Sequence, residues 1–74
     1  MKRWLFIVCN DNVPNHISVH DSEQGAMLAE GIYCRERWAT VCQGKPPLSD
    51  DDLVSEYSAN SGEDTYLWEC DIPA

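Results

Sequence analysis

A chain of 74 residues with thirteen acidic and five basic side chains carries a formal net charge of −8. That length allows one domain, residues 1–74, with a core small enough to be marginal without a disulfide, a metal, a partner or a second copy. The carboxylate excess argues against direct binding of nucleic-acid phosphates, which takes clustered Lys and Arg, and an apolar fraction of 43% argues against general disorder.

The chain opens on MKRWLFIVCNDN. Lys2 and Arg3 resemble the start of a secretion signal, but the apolar run Trp4–Cys9 stops at Asn10-Asp11-Asn12 with no small-residue cleavage site. The run is also too short to cross a bilayer. The expectation is a cytoplasmic protein with no membrane contact. Arg3–Asn10 is rich in β-branched and aromatic residues at successive positions, which predicts a central strand covered on both faces. The following NDNVPN is turn chemistry, because Asn and Asp tolerate left-handed backbone and Pro14 cannot donate to a ladder. His16–His20 alternates, with Ile17 and Val19 opposite His16, Ser18 and His20, and reads as a short strand or an extended lead-in.

A helix is predicted over 23–36. Asp21 or Ser22 caps it, Gln24 stands three after Asp21 as in a capping box, and Glu23 loads the first turn. Ala26, Ala29, Ile32 and Tyr33 share its apolar face with Leu28 at the edge, and Arg35 and Arg37 fall at its C-terminal end. Trp38–Gln43 (WATVCQ) reads as a second strand, stopped by Gly44 and Pro46-Pro47. Leu53–Ala59 alternates weakly and is ambiguous between helix and strand. After a turn at Asn60-Ser61-Gly62, Thr65–Ile72 reads as a strand with Tyr66, Trp68, Cys70 and Ile72 opposite Leu67 and Glu69.

These elements define an α+β fold, a small antiparallel sheet of three to four strands with one amphipathic helix packed on one face. The opening strand then carries a second apolar row, Leu5, Ile7 and Cys9, opposite Trp4, Phe6 and Val8. The segment around Leu48–Leu53 or a second copy of the chain could cover it, and left bare it would mark an interaction surface.

Motifs for chemistry are sparse. His16 and His20 lack the Glu of a HExxH site, so a zinc pair is not expected. Cys9, Cys34, Cys42 and Cys70 form no CxxC pair and no common zinc spacing. With no secretion signal they read as reduced thiols, although an even count also fits a disulfide framework. There is no phosphate-cradling glycine loop and no G-x-S-x-G elbow. A non-enzymatic protein without cofactor or metal is expected.

The stretch LSDDDLVSEY holds three consecutive aspartates. Calcium loops space their acids alternately and add a glycine, so that match fails. Ser49 as N-cap with Asp52 three residues on fits a helix start, but a cap does not use all three acids. Asp50, Asp51, Asp52, Glu56, Glu63 and Asp64 belong to an acidic last third in which Lys45 is the only basic residue after Arg37. Dense carboxylates imitate phosphate spacing, and these six are the expected partner-binding residues for a protein complex with a basic nucleic-acid-binding surface. The alternative is a protein–protein module or homodimer using Trp4, Trp38, Tyr66 or Trp68, with charge serving solubility.

The tiny acidic chain, its opening MKRWLFIVCN, the capped segment DSEQGAMLAEGIY and the later WATVCQ and TYLWECD together resemble small phage-encoded anti-CRISPR proteins and similar anti-defence inhibitors. That resemblance implies a single α+β domain in the host-cell cytoplasm that blocks a CRISPR effector by occupying its nucleic-acid surface.

Overall fold

The computed structural model describes residues 1–42 and 44–71. β1 (Lys2–Asn10) and β2 (Val13–His20) form a hairpin across Asp11-Asn12, both at positive φ (52° and 66°). Two left-handed residues in a two-residue loop match the twist of the strands they join, and Asp and Asn adopt that conformation more readily than most residues. Val8 pairs with His16 but Cys9 pairs with Pro14, so Asn15 is an extra residue in β2. A bulge of this kind re-aims its side chain, and here that side chain is used, as described below.

The expected helix has Ser22 as its cap, with Oγ accepting from the Gly25 amide at 3.0 Å. It runs further than expected, as α1 (Glu23–Val41). The strand expected at Trp38–Gln43 is therefore corrected: residues 38–41 are the end of α1, Cys42 is its C-cap, and Gln43 lies outside the described residues. Cys34, Trp38 and Cys42 recur every four residues, keeping one side of a helix buried. No Gly or Pro stands between Tyr33 and Val41 to stop it. Trp38 Nε1 donates to the Gly44 carbonyl at 3.0 Å, and the Cys42 amide donates to the Trp38 carbonyl at 2.7 Å. Arg35 and Arg37 consequently sit inside α1, away from its end. Its buried face is Ala26, Gly31, Cys34 and Trp38, while Leu28 and Ile32 are exposed.

The ambiguous stretch is a second helix, α2 (Asp50–Ser61). Ser49 Oγ accepts from the Asp52 amide at 3.3 Å, and Gly62 closes the helix at φ 78°. Such a cap contributes on the order of 1 kcal/mol, and a left-handed C-terminal residue is the usual place for glycine. The fold therefore has two helices rather than one, on a three-stranded sheet.

β3 (Asp64–Asp71) pairs antiparallel with β1 from Cys9 opposite Asp64 to Lys2 opposite Asp71, giving the order β2-β1-β3. Ile72 lies outside the described residues. Pro14 sits on edge strand β2 beside the bulge, positions where a sheet tolerates proline.

Both helices lie on one side of the sheet. α1 touches all three strands, and α2 packs on α1 and reaches the sheet only at β3. Phe6 and Val8 of β1 and Ala26 of α1 are buried between the sheet and that helix, while Cys34, Trp38, Cys42, Leu53 and Tyr57 form the core between the helices. Gly31 permits the close approach, because a Cβ there would stand 3.3 Å from the Asp50 carboxyl carbon. The Cα envelope measures 44 × 26 × 15 Å. Its thinnest dimension, 15 Å, holds the sheet and one helix layer.

Candidate functional site

The six acids do not form one face. Asp50, Asp51 and Asp52 crowd the first turn of α2, where the amide dipoles favour negative charge. Glu56 is exposed one turn beyond Asp52, and Asp64 is exposed at the start of β3. α2 carries no basic residue. Asp50 is partly offset by Arg35, whose Nη2 lies 3.2 Å from its Oδ1. Asp50 and Asp51 also edge a groove of about 420 Å³ between the helices, floored by Met27, Leu28 and Val54.

Glu63 stands apart, only 5% exposed. Tyr57 Oη donates to its Oε1, Asn15 Nδ2 donates to its Oε2 at 3.3 Å, and Arg37 Nε lies 3.7 Å from Oε1. Arg37 Nε also donates to Tyr57 Oη at 3.0 Å, and its guanidinium sits 5.2 Å from the Tyr33 ring centre. The bulged Asn15, the middle of α1, α2 and the entry to β3 are thus tied at one carboxylate. Each partner comes from a different element, so nothing near Glu63 in sequence marks it as interior.

The aromatic rings continue this cluster. Tyr33 packs edge-on against Phe6 at 5.5 Å and Tyr57 at 6.2 Å, and His16 lies 5.4 Å from Phe6 and 5.1 Å from Tyr33. Burial, then the hydrogen bond to Glu63, pushes the Tyr57 hydroxyl above its ordinary range. Burial and the Glu63 charge raise Tyr33 as well. Both phenols therefore hold their protons at neutral pH. The cluster can fix geometry and keep a carboxylate satisfied, and neither phenol is poised to give up a proton.

Half-buried His16 and His20 lie on the helix-covered side of the sheet, with Ser18 Oγ 2.7 Å from His20 Nε2. Among the described residues no group of three His, Cys, Asp or Glu is placed to hold a metal ion. All four cysteines are free thiols. Cys34 and Cys42 are buried, and burial, with Glu30 next, pushes Cys34 up to about 12. No described helix is long and apolar enough to cross a membrane.

The polar side of β2 faces inward, which turns its apolar side outward. Across the strands, Ile17, Ile7 and Tyr66 fall in one row and Val19, Leu5 and Trp68 in the next, with Cys9 and Cys70 beyond them. Ile17 is 57% exposed, Val19 55%, Tyr66 47% and Trp68 63%. The second apolar row of β1 is therefore the middle of an open apolar face. The Leu48–Leu53 segment does not cover it: Leu48 is 97% exposed and the rest begins α2 on the opposite side. Of the four aromatics singled out, Trp38 is buried in the helix core, Trp4 is half-buried on the helix side, and Tyr66 and Trp68 stand on the open face.

No protein-family model, curated protein or solved structure matches this chain.

Proposed function

We propose that this chain is a non-enzymatic inhibitor that binds a nucleic-acid-handling protein complex by laying an acidic surface on a basic nucleic-acid-binding site, as anti-CRISPR proteins of the acidic type do. The observation that carries the reading is α2, twelve residues with four carboxylates and no basic side chain, standing on the outside of the helix layer. A rigid helix presents those charges at fixed spacing. Their attraction to a basic channel is long-ranged at low salt and screened within about 10 Å at 0.1 M.

Glu63 is buried and Asp64 lies on the open side of the sheet opposite Cys9, so Asp51, Asp52 and Glu56 carry the contact, with Asp50 shared between Arg35 and the partner. The test is inhibition of target cleavage by purified CRISPR effector complexes and restriction nucleases across a salt series. The variant carrying Asp51→Asn, Asp52→Asn and Glu56→Gln should stay folded by circular dichroism and lose inhibition by at least about tenfold, a change of about 1.4 kcal/mol in binding. Undiminished inhibition by the folded variant would refute the acidic-surface mechanism.

A further inference from the structure

We infer that the open face of the sheet is a self-interface: two copies stack face to face into a four-layer sandwich, helices outermost. The inference concerns the opposite side of the molecule from the acidic helix and does not depend on that helix having a partner.

Three observations favour a second copy as occupant. The first is area. Three strands about 4.8 Å apart and seven residues at about 3.3 Å each make a flat footprint near 330 Å², from which Ile17, Val19, Tyr66 and Trp68 stand out at 47–63% exposure. Two such faces, footprint and side-chain relief together, reach toward the roughly 1,000 Å² that a specific interface has to clear. The second is charge. The middle of the face holds Leu5, Ile7, Ile17, Val19, Tyr66 and Trp68 and no ionised group, although the chain carries −8. Stacking therefore leaves the middle of the contact free of carboxylates and sends both acidic α2 helices to the outside.

The third is self-complementarity, which a two-fold contact requires. Arg3, paired with Asp21, closes one end of the face, and Asp64 stands at the other, opposite Cys9. A two-fold axis across the strands lays β1 antiparallel on its copy and brings the Arg3 end of each sheet over the Asp64 end of its partner. The Tyr66–Trp68 row then meets its own reverse.

Sedimentation equilibrium of the full chain, from about 1 to 100 µM, tests this over the range where such an interface is half-formed. A dimer is expected, and it should tighten as salt rises, because salt screens repulsion between two chains of like charge. Binding through the acidic helix would weaken under the same change, so failures of the two readings are distinguishable. Ile17→Lys with Val19→Lys, on an edge strand already open to water, should weaken the dimer at least hundredfold with an unchanged circular dichroism spectrum. Trp68→Lys should do the same from the other edge, and Leu28→Lys, on the exposed helix side, should leave the mass unchanged. A monomer at every concentration and salt overturns the inference and leaves the face to a different protein. A dimer that survives both folded face variants overturns it too.

Discussion

The Tyr57 hydroxyl offers a direct measure of what ties the layers together. Tyr57→Phe keeps the ring, which is fully buried and packs against Tyr33, and so opens no large cavity. It deletes one hydrogen bond to the Glu63 carboxylate and one from the Arg37 guanidinium. A hydrogen bond to a charged group contributes about 1.5–3 kcal/mol. Glu63 retains Asn15 at 3.3 Å and Arg37 at 3.7 Å, so part of its solvation survives. A loss of about 2 kcal/mol is expected, which for a domain of this size lowers Tm by about 8–16 °C. Urea titration at fixed protein concentration is the assay.

The pH dependence adds an independent signature. Because the folded state raises the Tyr57 value above the ordinary 10.0, the stability it contributes is complete below pH 10 and is lost as pH rises further. The parent should therefore weaken above pH 10 more steeply than Tyr57→Phe. A variant within about 0.5 kcal/mol of the parent at pH 7, with the same alkaline slope, would show that the Glu63 cluster does not hold the elements together.

Two further outcomes follow from buried titrating groups. In protein diluted to the monomer, reaction with an aromatic disulfide reagent at neutral pH should label partly exposed Cys9 and Cys70 quickly and Cys34 and Cys42 only at the rate of unfolding, since burial keeps the Cys34 proton on up to about 12; Cys34 labelling as fast as Cys9 would contradict the packing. Glu30 is half-buried and its value is raised mainly by burial, so its contribution is complete below the ordinary 4.5 and is lost as pH rises through the higher folded value. Glu30→Gln should raise Tm at pH 7 and lose that advantage near pH 4, and an advantage independent of pH would assign the effect to something other than the carboxylate charge.

Local chemistry made some of this fold legible. NDNVPN announced a turn, of which only Asp11-Asn12 is the loop and Val13–Asn15 already belong to β2; Ser49 with Asp52 announced a helix start, and the two apolar rows of β1 announced a central strand. Trp38–Gln43 misled because Trp, Thr and Val favour strands locally, whereas burial against α2 rewarded the four-residue recurrence of Cys34, Trp38 and Cys42. Leu53–Ala59 was ambiguous because it offers a single helical pair, Leu53 and Tyr57, too little to outweigh its weak alternation. Among the acids, exposure was legible for the α2 cluster, where charge falls on a capped helix. Glu63 was not, since its burial depends on Asn15, Arg37 and Tyr57 arriving from elsewhere. The inward side of β2 was also hidden, because His16, Ser18 and His20 lie beneath α1 while Ile17 and Val19 remain in water.

The register of β3 has a kinetic consequence. The β1–β2 hairpin and both helices close over short loops, but β3 reaches its place beside β1 only after nearly the whole chain has been threaded past. Long closures are slow because their entropy is lost before any contact compensates. Until β3 docks, β1 exposes one row of unmet amides and carbonyls along with its apolar side chains, a template for strands of other molecules. Glu63 stands at the entry to β3 and meets its partners only when that strand is in place. The final closing step should therefore be the one that decides between a soluble product and aggregate, and refolding yield should fall with protein concentration more sharply than the stability of the finished fold would suggest.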